Sequence, residues 1–268
     1  MRRALLPLLT LALALLILVD RIGHMKLAAE RAGAAAVQGP STTQPGTAHP
    51  AAGHDVIRRD GAAGRAGGEV GDRLLRLATR ERLSREASGT YLDSLIVSTD
   101  SVVRRWPDRW GKPIKLHIVE GGAPGYLPKM AEFARDAFHR WENTGVGIRF
   151  QTVTDSADAD VVIRWIDHFD FDRAGQTDLT WDQAGRVRRA SISLALRTHT
   201  GTVLPDAALL SVAVHEAGHA LGLPHSSDTN DVMFPATRTG ILTERDRRTI
   251  EVLYRLPPGP VRDELAGP

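Results

Sequence analysis

The chain has 268 residues, a formal net charge of +2 and no cysteine. This length allows one substantial domain together with additional segments. A charge so close to zero does not predict a nucleic-acid partner, and the missing cysteine excludes both a disulfide framework and a cysteine-ligated metal site.

The N-terminal region has the pattern of an export signal. Arg2 and Arg3 precede an apolar run over residues 4–19, which ends at Asp20. As a helix this run would be about 24 Å long, a little short of the roughly 30 Å hydrocarbon core and at the upper end for a signal peptide. Residues 1–25 are therefore predicted to be a signal anchor or a cleaved signal peptide, with a buried core helix as the alternative. Either form of export predicts an extracytoplasmic protein, anchored in the membrane or secreted.

Two segments separate this signal from the first predicted strands. Residues 26–71 are rich in Ala, Gly, Thr, Pro and Arg and have few large apolar side chains. They cannot bury enough surface to offset the entropy of ordering, so they are predicted to be a disordered linker. Residues 72–101 place several leucines among many charges, as an amphipathic helix does. This block is interpreted as a helical spacer or a pro-segment.

Residues 102–257 show the mixed pattern of an α+β domain. Period-two alternation of apolar residues predicts strands, and apolar residues repeating every three to four positions predict helices. Asp206 and Thr243 are suitable N-caps. The predicted strands are 113–119, 148–153, 161–166 and 189–196, and the predicted helices are 126–143, 206–221 and 243–254. Residues 258–268 form a short tail.

An acidic loop is predicted over residues 167–182, which contain several aspartates and His168. Calcium takes oxygen ligands, so some of these carboxylates could hold Ca²⁺. A solvated acidic loop is the alternative. A single histidine does not predict a second zinc site in this loop.

The most informative segment is the sequence HEAGHALGLPH at residues 215–225. His215 and His219 are one helical turn apart and lie on one face, where two imidazoles can bind one Zn²⁺. Gly222 allows the chain to leave the helix with positive φ, so that His225 can return as a third ligand. Three protein ligands leave one position for water, which is the arrangement of a catalytic zinc site.

The pattern HExxHxxGxxH resembles that of the metzincin zinc endopeptidases. Met233 follows at the position of the methionine turn of that clan, and Ser226 after the third histidine is typical of matrixins. The resemblance covers roughly residues 102–256. It implies a metzincin, zincin-like α+β fold: a twisted mixed sheet of about five strands, a backing helix, an active-site helix and a C-terminal helix. The missing cysteine excludes the thiol-based latency of vertebrate matrix metalloproteinases, and a bacterial-type member is expected.

The resemblance also implies a function, namely zinc-dependent hydrolysis of peptide bonds in extended protein substrates. One catalytic Zn²⁺ would be held by the three histidines, with its bound water as nucleophile and Glu216 as general base. Met233 would form an apolar floor beneath the metal and would not be a ligand. The strand at 189–196 is expected to be the edge strand that pairs with the substrate backbone.

Two other interpretations stay open. Another HExxH zinc hydrolase would take a glutamate from a downstream helix, for which Glu251 is a candidate, although His225 makes that ligand unnecessary. A membrane-tethered zinc-binding module without catalysis would share the metal ligands. The retained Glu216 argues against this second alternative.

Overall fold

The computed structural model describes residues 60–93, 95, 102–109 and 111–261, with side chains from residue 70 onwards. The predicted signal segment at 1–25 and most of the predicted linker lie outside this range. Among the helices of the described part, none combines the length and the apolar character that a membrane crossing requires. The signal anchor and the domain boundaries therefore stay predictions.

The described residues contain both helices and strands, and four of the strands follow one another between two of the helices. The first helix extends into the segment that was expected to be linker. The elements are α1 (Asp60–Glu86), β1 (Val102–Val103), β2 (Ile114–Ile118), α2 (Lys129–Glu142), β3 (Phe150–Thr152), β4 (Val161–Ile166), β5 (Gly175–Trp181), β6 (Val187–Ala195), α3 (Asp206–Ala220), α4 (Glu244–Arg255) and β7 (Gly259–Pro260).

A five-stranded mixed sheet forms one layer of the domain. Its strand order is β3-β2-β4-β6-β5, in which the first four strands are parallel and β5 runs antiparallel to β6. The short strands β1 and β7 form a separate antiparallel pair. The α+β class and the five-stranded mixed sheet that the resemblance implied are confirmed.

The expectation that residues 189–196 form the edge strand is wrong. These residues belong to β6, which pairs with β4 on one side and β5 on the other, and the edge beside it is β5. The acidic loop was predicted too long, because nearly half of residues 167–182 belong to β5. Polar Gln176, Thr177 and Asp178 interrupt any apolar alternation in β5, and most of its residues are half-buried or exposed. A strand without one buried face has no period-two signal.

Helices α2 and α3 pack against each other beneath the sheet. α2 buries the apolar side of its surface, and the indole Nε1 of Trp141 donates to the carbonyl oxygen of Val214 in α3 at 2.8 Å. The helix begins three residues later than predicted, because Pro128 takes the N-cap position. Asp206 is not the N-cap of α3 as predicted; Pro205 precedes the helix, and Asp206 pairs with Lys129 at 2.7 Å.

The C-terminal helix α4 connects the N-terminal block to the rest of the core. Thr243 caps α4 as predicted, in a reciprocal capping box with Asp246. Leu83, Tyr91 and Leu92, from the block before β1, are buried in the same hydrophobic core as the sheet and helices. The phenol of Tyr91 donates to Asp246 Oδ1 at 3.0 Å. The folded domain therefore includes residues well before 102.

Candidate metal centre

The three histidines of the motif meet at one point. His215 and His219 lie on α3, and the chain leaves the helix at Gly222 with φ of 97°. A side chain at Gly222 would strike the carbonyl oxygen of Arg104, so both the backbone angle and the close approach require glycine. This turn returns His225 to the helix, and the ligand-type atoms of the three residues lie within 4.8 Å of one another.

Main-chain carbonyls orient two of the imidazole rings. His215 Nδ1 lies 2.7 Å from the carbonyl oxygen of Val232, and His219 Nδ1 lies 2.9 Å from that of Leu223. A carbonyl oxygen only accepts, so each Nδ1 carries the proton and each Nε2 presents a lone pair. The Nε2 atoms of His219 and His225 are 3.1 Å apart. This is the tautomer and the convergence that a metal requires.

Burial favours the neutral form of these rings. It lowers the pKa of His215, and it lowers the pKa of His219 well below the usual histidine value, with further lowering from the neighbouring imidazoles. Neutral imidazole is the form that ligates metal. Three converging imidazole nitrogens, with the neutral form favoured by burial at His215 and His219, therefore fit Zn²⁺ with three protein ligands.

Glu216 is buried between α3 and the edge strand, with 5% of its surface exposed. Burial raises the pKa of its carboxyl to about 7, and a hydrogen bond from Thr177 opposes that rise. The distance from Thr177 Oγ1 to Glu216 Oε2 is 2.6 Å. A cation held by the histidines would also lower this pKa, because an opposite charge favours the ionised form.

Met233 lies fully buried beneath the active-site helix. A Cβ on Gly218 would strike Met233 Sδ and would lie 2.9 Å from Cζ2 of Trp141, so the helix approaches this floor too closely for any side chain there. The turn is fixed by a hydrogen bond from the amide of Ser226 to the carbonyl of Met233 at 2.9 Å. Met233 thus packs against the turn of α3 that separates two of the histidines.

A buried carboxylate links this turn to α4. Asp246 has no exposed surface, and its Oδ2 accepts from the amides of Val232 and Thr243 at 3.0 and 2.9 Å. Val232 in turn orients His215 through its carbonyl. A continuous path of hydrogen bonds therefore leads from Tyr91 through Asp246 and Val232 to the first histidine.

The other candidate ligands do not join the histidines. Glu251 lies on the surface of α4 and pairs with Arg248 and Arg255. In the acidic loop, Asp167 contacts His168 and Arg197, at 2.7 and 3.2 Å. Across the described ranges, the histidine triad is the one group of three or more ligand-type side chains close enough to hold a metal. A calcium ion in the acidic loop stays a prediction.

Several residues of the site were not found from the sequence. Thr177 lies in the stretch that was interpreted as a loop, and Val232 and Leu223 contribute main-chain oxygens, which no side-chain pattern reveals. The motif itself was found because helical spacing and a glycine turn are local features.

Residues 123–255 match the Matrixin peptidase family. Metalloendoproteinase 1 of Glycine max is 31% identical to this chain over 147 residues, which are 46% of this chain and 44% of that protein. Interstitial collagenase A of Mus musculus is 29% identical over 165 residues, covering 58% and 35% of the two chains. Matrix metalloproteinase-15 of Homo sapiens is 45% identical over 67 residues, covering 23% and 10%.

The chain spans less than half the length of each of these three relatives. The expectation of a bacterial-type member stays a prediction. The family resemblance based on the zinc motif and its methionine turn is confirmed by the family match and by the fold. Residues 123–255 therefore form a matrixin-like domain with the α+β fold of metzincins.

Proposed function

We propose that this domain is a zinc-dependent endopeptidase that hydrolyses peptide bonds in extended protein substrates. The observation that supports this most strongly is the convergence of three imidazole rings, with the carboxylate of Glu216 buried beside them on the same helix as two of the three. A closed structural zinc site takes four protein ligands, whereas three leave a position for substrate and water.

His215, His219 and His225 would hold the Zn²⁺, and Met233 would pack beneath it without ligating it. When bound, the zinc ion supplies a Lewis acid that lowers the pKa of water and polarises the scissile carbonyl. The hydrogen bonds to Val232 and Leu223 keep two of the rings oriented for this role.

Glu216 is the proposed proton carrier. Its carboxylate takes a proton from the attacking water and delivers it to the nitrogen of the leaving amine. Burial raises the pKa of this carboxyl to about 7 in the absence of a cation, and a cation on the histidines would lower it, which favours the ionised form that accepts the proton. Glu216 is therefore both general base and general acid in the proposed reaction.

Strand β5 is the proposed substrate-binding edge. It pairs with β6 on one side and ends the five-stranded sheet, directly above α3 at Glu216. An unpaired edge can bind an extended peptide through backbone hydrogen bonds. Such bonds do not depend on the side chains of the peptide, so many sequences can bind. This supports an endopeptidase that recognises an extended backbone.

The N-terminal residues support a proposed location. We propose that residues 1–25 export the chain, so that the protease acts outside the cytoplasm, either anchored in the membrane or secreted. Fractionation of cells expressing the full chain, beside a chain lacking residues 1–25, tests this. Equal amounts of both chains in the cytoplasm would contradict it.

The catalytic proposal is tested by zinc content and peptide cleavage of the full chain, wild type beside Glu216→Gln. A fragment beginning at residue 102 is unsuitable, because it would remove Leu83, Tyr91 and Leu92 from the core. We expect one zinc in both proteins and cleavage about 100- to 10,000-fold slower in the variant. Zinc in both and cleavage by neither, across a broad peptide library, would contradict the proposal and favour a zinc-binding module.

A further inference from the structure

The edge strand β5 touches the carboxylate of Glu216 at two alternate positions. Residues 175 and 177 point to the same side of the strand, since side chains alternate along it. Thr177 Oγ1 lies 2.6 Å from Glu216 Oε2 and 3.1 Å from the carbonyl oxygen of the same residue. A hydroxyl has one proton, and the shorter contact identifies the carboxylate as its main acceptor.

Gly175 forms the other half of this contact. A Cβ built on Gly175 would strike Glu216 Oε1, and would lie 2.6 Å from Glu216 Cγ and 2.7 Å from Cγ1 of Val212. Glycine is needed here because a side chain has no space, and not because of the backbone angle, since φ at this residue is not in the left-handed region. The strand therefore encloses one carboxylate oxygen by close packing and the other by a hydrogen bond.

These contacts restrict a side chain that is otherwise flexible. Glutamate has three side-chain torsions, and a general base must keep its oxygen within hydrogen-bond reach of the water that it deprotonates. The sole donor that the described structure gives to this carboxylate is the Thr177 hydroxyl. The residue that aims the base thus comes from the strand proposed to bind substrate.

We propose that Thr177 is a positioning residue for Glu216, and that the absence of a side chain at Gly175 leaves the space that the carboxylate occupies. This rests on the proposed function, because a base must exist in order to be positioned. Thr177 does not contact the histidines in this arrangement, so its loss leaves zinc binding intact and lowers turnover.

The test uses four forms of the full-length protein: wild type, Thr177→Val, Thr177→Ser and Thr144→Val. Valine keeps the shape of threonine and removes the hydroxyl, whereas serine keeps the hydroxyl. Thr144 is a matched control outside β5, because it lies half-buried after the end of α2 and its hydroxyl donates to the carbonyl of Trp141 at 2.7 Å. The measured quantities are kcat, KM and the zinc dissociation constant.

We expect kcat of Thr177→Val to fall on the order of tenfold or more, with KM and zinc affinity within about twofold of wild type. Thr177→Ser is expected to recover most of the loss, and Thr144→Val to match wild type. Unchanged kcat in Thr177→Val would overturn the proposal. A loss that serine does not recover, or that appears as weaker zinc binding, would also overturn it and would indicate a structural role.

Urea unfolding of the metal-free protein gives a readout without activity. Thr177→Val is expected to lower the urea midpoint in the presence of Glu216 and to leave it unchanged in a Glu216→Ala background. The reason is that the effects of substitutions on stability are not additive when the two residues are in contact. Equal shifts in both backgrounds would overturn the contact. If wild type cleaves no peptide, the proposed function fails and this proposal with it; if wild type cleaves and Thr177→Val cleaves equally well, the positioning role alone fails.

Discussion

The active-site helix α3 is held by two regions of opposite character. On one side lies the floor, defined by Tyr91, Val232, Met233 and Asp246, which are all fully buried or nearly so. On the other lies the roof, in which the exposed edge strand β5 covers the carboxylate of Glu216. The floor orients a metal ligand, whereas the roof contacts the proposed general base.

The two regions also differ in how they treat buried charge. The carboxylate of Asp246 accepts hydrogen bonds from a phenol and two amides, so its burial is compensated. The carboxylate of Glu216 is buried against the Thr177 hydroxyl, and its raised pKa shows that burial is incompletely compensated. The buried carboxylate of Asp246 in the floor therefore stabilises the fold. The buried carboxylate of Glu216 under the roof lowers stability, but it can accept and release a proton. Removing the buried charge of Asp246 and removing that of Glu216 should therefore shift stability in opposite directions.

The largest effect on stability is expected from Asp246→Ala in the floor. The change leaves the amide of Val232, the amide of Thr243 and the phenol of Tyr91 without their acceptor, at a cost of about 3–5 kcal/mol in the free energy of unfolding. Urea unfolding of the metal-free protein measures it. The control is Asp136→Ala, which breaks an exposed pair with Arg140 and should cost less than about 1 kcal/mol. Equal losses in both variants would refute the importance of the floor.

The opposite sign is expected from Glu216→Gln in the roof. A carboxyl whose pKa is about 7 in the folded protein and 4.5 when unfolded loses stability as pH rises between these values, because ionisation is harder in the fold. Glutamine does not ionise, so the metal-free variant should be more stable than wild type at pH 8 by up to about 3 kcal/mol. The gap should close near pH 4.5. Urea unfolding at both pH values, with a chelator present, measures this difference in stability. A wild type as stable as the variant at pH 8 would contradict the expected cost of burying the Glu216 carboxylate.

The smallest effect is expected from Tyr91→Phe, at the far end of the floor. Loss of the phenol hydroxyl removes one of the hydrogen bonds to Asp246 and should lower the free energy of unfolding by about 1 kcal/mol. Zinc affinity should weaken by less than about tenfold, because the hydrogen-bond path from Tyr91 to His215 passes through Asp246 and Val232. Competition with a zinc chelator measures the affinity. A loss larger than that of Asp246→Ala would mean that Tyr91 acts by another route.

Local patterns predicted much of this molecule. The spacing of His215 and His219, the turn at Gly222 and the return of His225 are determined within eleven residues. Helices α2 and α4 and strand β2 have strong apolar periodicity, and Thr243 is an N-cap residue type directly before α4. These features arise from interactions between near neighbours in the chain, which a single sequence displays.

Contacts between distant segments were not predictable in this way. β5 has polar residues on both faces, so nothing distinguished it from a loop until β6 was seen to pair with it. Thr177 meets Glu216 from 39 positions away, and Tyr91 meets Asp246 from 155 positions away. Neither pair has a local signature, because only the packing of the sheet and helices brings the partners together.

Zinc-edge anomalous diffraction from crystals of the full-length, zinc-loaded protein would locate the metal. We expect one strong peak, at a zinc ion bound by the Nε2 atoms of His215, His219 and His225. The Nδ1 atoms of His215 and His219 should still donate hydrogen bonds to the carbonyl oxygens of Val232 and Leu223. A zinc ion bound away from these three rings, or one that takes the proposed general base as a ligand, would contradict the assignment of a catalytic zinc site with a separate proton carrier.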